Sequence, residues 1–252
     1  MENRAVRLVG GSVGNGSVQR PHRVFDRYPI ARLRSADEAS ARRHRARRIL
    51  NVAVALIGLA LTLPLIIVIA LLVKLTSPGP VLFRQIRVGI DRRTGDGGNW
   101  RRRVNYGGKL FTMYKFRTMH VSRTDPDRQV WALPDDPRVT LLGRVLRKTR
   151  LDELPQLVNV LKGDMNVVGP RPEQPEIFQA LREHIERYHE RQRVLPGITG
   201  WAQVNLTYDR DVEDVRRKVT FDLEYAARQS VVEDLRIMMK TVPVMLFRGS
   251  GW

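Results

Sequence analysis

The chain has 252 residues, enough for one large domain or two small ones, and its 44 Lys and Arg against 26 Asp and Glu leave a formal charge of +18. Such an excess favours polyanionic partners: nucleic acid, anionic lipid headgroups or phosphorylated substrates. With no cysteine, disulfide frameworks, thiolate zinc sites, iron–sulfur clusters and a cysteine nucleophile are excluded, and the five scattered histidines lack the spacing of a zinc hydrolase.

Residues 1–48 hold 12 Arg, 4 acidic residues and glycines at positions 10, 11, 14 and 16, with no sustained helical or strand period. Residues 1–44 read as a basic, mostly disordered arm drawn to anionic lipid. Ala36, Ala39, Ala41 and Ala46 predict a helix beginning near Asp37 and feeding the next segment without a break. From Ile49 to Val73, 25 consecutive positions carry no charged side chain, which is the length and composition of a membrane segment. With 48 residues before it and Lys74 after it, the segment does not have the layout of a cleaved secretory signal. Pro64 lacks a backbone donor and its ring clashes with the preceding turn, so a kink or break is expected there. Both flanks are basic, with Arg42, Arg43, Arg45, Arg47 and Arg48 before the run and Lys74, Arg84, Arg87, Arg92 and Arg93 after it. Because positive flanks favour the cytoplasmic side, a re-entrant hairpin over 45–76, bent at Pro64, is preferred to a spanning helix.

Ser77-Pro78-Gly79-Pro80 must end any helix and opens the remaining domain, 77–252. Val81 to Phe83 and Leu110 to Phe116 predict short strands, joined as a hairpin across a basic, glycine-rich loop that contains Arg101, Arg102 and Arg103. Past Pro137 the period turns helical. Val139, Leu142, Val145 and Leu146 share one face, and Leu151, Leu154, Leu157, Val158 and Leu161 make a second helix that ends at Gly163. Further helices are expected over 175–193 and 211–228, and 231–247 is apolar with few charges. The class is α+β: a helix-rich catalytic domain with a small β-hairpin, anchored by an N-terminal membrane helix broken at proline.

Candidate chemistry lies between Lys115 and Pro172. In Arg147-Lys148-Thr149-Arg150-Leu151-Asp152-Glu153-Leu154-Pro155, two adjacent carboxylates stand at an expected helix start just after three cations. Neighbouring helical residues point about 100° apart, so the pair cannot duplicate one role, yet both can reach one metal ion or phosphate from its rim. Alone, an Asp-Glu pair is ordinary in a helix's first turn, where the macrodipole favours it. Its company adds weight: Gly169-Pro170-Arg171-Pro172-Glu173 fixes the backbone around one guanidinium, which suits bidentate phosphate binding. In Tyr114-Lys115-Phe116-Arg117-Thr118-Met119, Lys115 and Arg117 stand at i and i+2, one face of a strand. Together these supply carboxylates for a divalent cation and cations for a polyphosphate, beside a membrane anchor.

The combination of the proline-interrupted membrane run, Ser77-Pro78-Gly79-Pro80-Val81-Leu82-Phe83, the Tyr114 to Met119 stretch, Leu151-Asp152-Glu153-Leu154-Pro155-Gln156, Gly163-Asp164-Met165, Gly169-Pro170-Arg171-Pro172-Glu173 and Pro196-Gly197-Ile198-Thr199-Gly200-Trp201-Ala202-Gln203-Val204-Asn205 resembles the bacterial sugar transferase family, the monotopic phosphoglycosyl transferases. The likeness runs in motif order from about residue 45 to 247. It implies transfer of a sugar 1-phosphate from a nucleotide diphosphate sugar to undecaprenyl phosphate, with release of a nucleoside monophosphate, as the first step of exopolysaccharide or other glycoconjugate synthesis. It further implies that Asp152 is the nucleophile that forms a covalent phosphosugar intermediate. Glu153 is then the partner carboxylate, Mg²⁺ is held by Asp152 and Glu153, and Lys115, Arg117, Arg147 and Arg171 face phosphate or nucleotide. The implied location is the bacterial inner membrane, among membrane lipids, with the catalytic domain on the cytoplasmic face. A homodimer stays open.

Two departures from the family pattern stand out. Leu63, not serine, precedes Pro64, with Thr62 one position earlier, and Leu206-Thr207-Tyr208-Asp209 replaces the glycine often found after the Trp-Ala-Gln-Val-Asn motif. The identity of the sugar is therefore open. A nucleic-acid partner is not expected, since the chain carries no recognisable binding motif and little aromatic interleaving. The alternative to an enzyme is a non-catalytic membrane scaffold of a glycan assembly complex.

Overall fold

A computed structural model describes residues 37–91, 107–120, 136–206 and 212–247. The basic arm before residue 37 and the loop carrying Arg101 to Arg103 lie outside the described residues. Helix α1, Asp37–Thr76, begins where the alanines predicted and stops at the Ser77-Pro78-Gly79-Pro80 cluster. It is helical through Pro64, so the expected break is not found. The helix runs on across Pro64 although proline supplies no backbone donor there, and the Thr62 hydroxyl donates to the Gly58 carbonyl at 2.6 Å. Among the described residues α1 is the one helix long and apolar enough to cross a membrane. Most of its large side chains from Leu56 to Leu72 are exposed, whereas Ala55, Ile69 and Val73 are buried against the rest of the protein.

Strands β1, Leu82–Val88, and β2, Leu110–Phe116, form the expected antiparallel hairpin, with Leu82 opposite Phe116 and Val88 opposite Leu110. Helix α2, Leu141–Lys148, is capped by Thr140, whose hydroxyl accepts from the Gly143 amide at 2.8 Å. Gly143 lets α2 lie against the chain leaving β2: a Cβ there would stand 2.1 Å from the Thr118 carbonyl oxygen. A 3₁₀ turn, Leu151–Glu153, precedes α3, Gln156–Lys162, which ends at Gly163 in the left-handed region at φ 81°. Strand β3, Asn166–Val168, then pairs with β4, Gly197–Thr199, as a parallel two-stranded ribbon that the sequence pattern did not announce. Between them lie α4, Pro175–His184, and a second 3₁₀ segment, Tyr188–Arg193. The single helix expected over 175–193 is thus divided, because Ile185 is extended to bury its side chain and Arg187 adopts φ 60°. Helices α5, Trp201–Asn205, α6, Val212–Arg228, and α7, Val231–Phe247, complete the chain.

Helix α1 belongs to two of the apolar cores. Ala55 packs with Phe111, Met113, Val160 and Met165, and Ile69 and Val73 pack with Phe116 and Leu146. The other two cores join Val88, Phe178, Tyr188 and Val219, and Val168, Trp201, Tyr225 and Ile237. The first pair flank β2 and the turn at Asp152, so α1 and the carboxylates share one framework.

Candidate active site

Asp152 and Glu153 sit in the 3₁₀ turn rather than in the first turn of an α-helix, correcting the sequence expectation. The cause is Pro155. It has no N–H to return to the Leu151 carbonyl, so the α-helical ladder cannot start there, and the Leu154 amide takes that carbonyl at 3.3 Å instead. Arg150 closes the turn at φ 60°, ψ 12°, a conformation that costs a residue with a side chain about 1–3 kcal/mol and is held by its carbonyl accepting from the Glu153 amide at 3.1 Å. In this tighter turn neighbouring side chains diverge by about 120°. Both carboxylates are buried.

Each reaches a different environment. Glu153 Oε1 accepts from Lys115 Nζ at 2.9 Å and from Arg171 Nη2 at 2.9 Å, with Arg150 Nη1 at 3.8 Å. Among the described residues no donor is hydrogen-bonded to the Asp152 carboxylate. Burial would raise the Glu153 carboxyl, but Arg171, Lys115 and Arg150 outweigh it and hold the group well below the usual carboxylate range. Burial raises the Asp152 carboxyl, helped by the charge of Glu153 and opposed by Lys115, Arg171 and Arg147. Lys115 is pushed down by burial, partly offset by Glu153. Two adjacent carboxylates have thus been driven apart: one fixed as an anion inside a cage of cations, the other unengaged.

The cage is built from below. Asn159 on α3, fully buried, accepts from the Tyr114 amide at 3.0 Å and donates to the Thr112 carbonyl at 2.7 Å, which pins β2 and hence Lys115 beside the turn. The Arg171 carbonyl accepts from Arg191 Nη2 at 3.0 Å and the Pro172 carbonyl from Arg87 Nη1 at 2.9 Å. Glu173 anchors those two arginines together with Lys218, at 3.6, 3.9 and 3.3 Å. Burial would raise the Glu173 carboxyl, yet Lys218, Arg191 and Arg87 bring it down to about 2. Arg191 also pairs with the buried Asp222 at 2.7 Å.

Of the residues singled out by sequence, Lys115, Asp152, Glu153 and Arg171 converge. Arg147 stands beside them, with Nε on the Thr118 hydroxyl at 2.9 Å and its charge acting on Asp152. Arg117 does not join them: β2 ends at Phe116, so the alternation that would align Arg117 with Lys115 is lost. Its guanidinium instead donates to the carbonyls of Val73, Ser77 and Pro78, closing the C-terminal end of α1. Pro64 lies on the exposed stretch of α1. Sequence reasoning gave no role to Arg150, Arg191 or Glu173; a left-handed arginine and an ion pair across 31 residues leave no local signal.

A hard cation such as Mg²⁺ commonly takes one or two carboxylates and completes its shell with phosphate oxygens and water. The Asp152 carboxylate, clear of hydrogen bonds from the described residues, and Glu153 Oε2, turned from the bonded Oε1, fit that donor set. Among the described residues no cluster of three or more acidic or histidine side chains offers a larger cage.

The bacterial sugar transferase family model matches residues 42–248, and the chain belongs to that family. It is 43% identical over 194 residues to the UDP-glucose:undecaprenyl-phosphate glucose-1-phosphate transferase of Escherichia coli K12, covering 76% of this chain and 38% of that protein. It is 40% identical over 200 residues to the UDP-N-acetylgalactosamine-undecaprenyl-phosphate N-acetylgalactosaminephosphotransferase of Aeromonas hydrophila, covering 79% of this chain and 43% of that one. A glucose-1-phosphate transferase of Caulobacter vibrioides, also named for UDP-glucose and undecaprenyl phosphate, is 40% identical over 208 residues, 82% of this chain and 72% of its own. The chain thus spans about two-fifths of the length of the first two relatives.

Proposed function

We propose that the chain transfers a sugar 1-phosphate from a nucleotide diphosphate sugar to undecaprenyl phosphate through a covalent intermediate on Asp152, and so starts a glycan on the cytoplasmic face of the bacterial inner membrane. The observation that carries this reading is the division of the carboxylates: Glu153 is fixed by Lys115 and Arg171 at 2.9 Å each, while Asp152 has no hydrogen-bond donor among the described residues. A carboxylate attacks phosphorus only when the repulsion between anions is offset and its own lone pairs are not occupied. Lys115, Arg150 and Arg171 supply the offset, and their positions are held by Glu153.

In the first half-reaction an Asp152 oxygen bonds to the phosphorus that carries the sugar, the bond to the bridging oxygen breaks, and the nucleoside monophosphate leaves with that oxygen. In the second half an oxygen of the lipid phosphate bonds to the same phosphorus, the bond to Asp152 breaks, and a lipid diphosphate sugar is released. Asp152 and Glu153 would hold a Mg²⁺ ion, which would supply charge neutralisation on the diphosphate. Burial of the dyad excludes water that would hydrolyse the intermediate.

The re-entrant reading of 45–76 is supported by contacts on both sides of Pro64. Ala55 and Val73 lie near opposite ends of the uncharged run and are both buried on the same catalytic domain. In a spanning helix those two positions, about 27 Å apart at 1.5 Å per residue, would lie near opposite faces of a hydrocarbon core about 30 Å thick, where one domain on one side could not cover both.

A panel of UDP-sugars with undecaprenyl phosphate tests the activity, with UMP release as readout. The full chain turns over at least one donor, and Asp152→Asn lowers that turnover by about a thousandfold or more. An Asp152→Asn protein of near-normal turnover removes the proposal.

A further inference from the structure

A cavity of about 160 Å³ lies beside the dyad, between the Asp152 turn, β4, α5 and α7, and Glu153 is the only member of the dyad on its wall. Its lining combines charged and apolar groups. Lys148, Arg150 and Glu153 are its charged members, Gln203 contributes a carboxamide whose Nε2 donates to the Ile198 carbonyl at 3.1 Å, and Leu154, Leu157, Ile198, Val204, Val244 and Met245 supply the apolar wall. The Thr199 and Thr241 hydroxyls also face it but are bonded to each other at 2.8 Å, and Thr241 donates to the Ile237 carbonyl, so they offer little to a polar ligand. Lys115, Arg171 and Asp152 are not on this wall. Beyond the charged groups and Gln203 Oε1, which has no partner among the described residues, the wall is apolar, so a nucleotide or sugar, rich in hydroxyls and ring nitrogens, would leave most of its polar atoms unpaired there.

The cavity also lies next to the membrane segment. A Cβ added to Gly58, six residues before Pro64 on α1, would sit 3.2 Å from Leu157 Cδ1, so the uncharged run passes directly behind the apolar wall. On the other side α7 leaves Val232, Leu235, Met239 and Val242 exposed, and Met245, itself on the wall, is 44% exposed. A ligand entering here comes from between two apolar surfaces.

We propose that this cavity holds the phosphate-proximal isoprene unit of the polyprenyl phosphate acceptor, with Lys148 and Arg150 receiving its phosphate beside Glu153. This rests on the transfer reaction proposed above. The size fits: a dry apolar cavity of about 150 Å³ accommodates benzene, six carbons, so this one takes roughly one five-carbon unit. The arrangement gives the diphosphate Lys115 and Arg171 and the lipid phosphate Lys148, with Arg150, 3.8 Å from Glu153 Oε1, serving both in turn. Once the nucleoside monophosphate has left, an oxygen of the lipid phosphate held there can bond to the phosphorus carried by Asp152 as the bond to Asp152 breaks.

The test separates the half-reactions in the full-length chain. Val244→Trp fills the cavity from its apolar wall, and Lys148→Gln removes a cation that makes no ion pair among the described residues. Each is expected to raise the KM for undecaprenyl phosphate about tenfold or more, while the single-turnover release of UMP from the active UDP-sugar, without acceptor, keeps its wild-type rate. Wild-type KM for the acceptor in both variants overturns the assignment. Absence of UMP release from the unaltered chain would instead sink the parent reading. If Val244→Trp loses both half-reactions through misfolding, farnesyl phosphate bearing a diazirine at its first isoprene unit decides on the unaltered protein. Labelling of peptides from the Asp152 turn or α7 supports the cavity, and labelling confined to other segments overturns it.

Discussion

Arg47 Nε donates to Asp234 at 2.9 Å across 187 residues, and Asp234 is fully buried. The Tyr225 hydroxyl donates to the same carboxylate at 2.7 Å and accepts from Arg47 Nη2 at 2.6 Å. This cluster ties the first part of α1 to the C-terminal helices. Asn51, one turn on, extends the tie to β3, where it accepts from the Val167 amide. Replacing one partner of a buried ion pair strands the other charge, at a cost of about 3–5 kcal/mol. Arg47→Met is therefore expected to lower the thermal unfolding temperature in detergent by several degrees, and Arg47→Met combined with Asp234→Leu to recover part of the loss. Additive losses in the double variant would show that the pair is not coupled.

Glu153 is expected to act as an anchor for cations rather than as a nucleophile. Glu153→Gln keeps the shape but leaves Lys115 and Arg171 without their shared anion. Donor turnover should fall by about two orders of magnitude or more, with the metal requirement weakened, in an assay titrating Mg²⁺ against UMP release. A variant with wild-type metal dependence would place Glu153 outside the cation's donor set.

Arg171 is fixed by prolines on both sides and by Arg191 on its carbonyl. Arg171→Lys substitutes a point charge for a planar fork and is expected to raise the donor KM about tenfold with the acceptor KM unchanged. Unchanged donor kinetics would reduce Arg171 to a structural ion pair.

Glu173 gives a pH signature. Its carboxyl lies at about 2, below its unfolded value of 4.5, so the group contributes stability that is fully present above about pH 4.5 and is lost as the pH falls toward 2. Glu173→Gln should flatten the acid limb of stability between those values, measured by thermal unfolding from pH 6 to pH 3. An acid limb identical to that of the native chain would show that Lys218, Arg191 and Arg87 do not hold the carboxylate.

Topology is open to a direct check, since the chain has no cysteine. Ser35→Cys and Asp125→Cys, tested separately, should both be shielded from an impermeant thiol reagent in intact cells and labelled after lysis. Labelling of Ser35→Cys in intact cells would mean a spanning helix. Pro64→Leu restores the missing backbone donor, favours a straight span, and is expected to expose one position or abolish turnover. Full turnover with unchanged shielding would remove Pro64 from the account.

Local signals carried much of the fold. Helix α1, the hairpin and the Gly163 stop are written in composition, alternation and a single glycine. Proline was harder to read, because its effect depends on what surrounds it. At Pro155 it displaced the helix start and put Asp152 and Glu153 in a 3₁₀ turn, whereas at Pro64 the helix continues. The two-residue spacing of Lys115 and Arg117 suggested a shared face, but the strand stops between them and the guanidinium serves the end of α1. The parallel β3 and β4 pair and the Arg191 anchorage arise from contacts between distant segments, and three-residue strands carry too little alternation to mark themselves.

The covalent role of Asp152 is open to mass spectrometry of the chain incubated with an active UDP-sugar in the absence of lipid acceptor. One sugar-phosphate adduct per chain is expected, located on the peptide containing Asp152, discharged on addition of undecaprenyl phosphate and absent from Asp152→Asn. An adduct on another residue, or full turnover with no adduct trapped on the peptide containing Asp152 and none lost in Asp152→Asn, would contradict it.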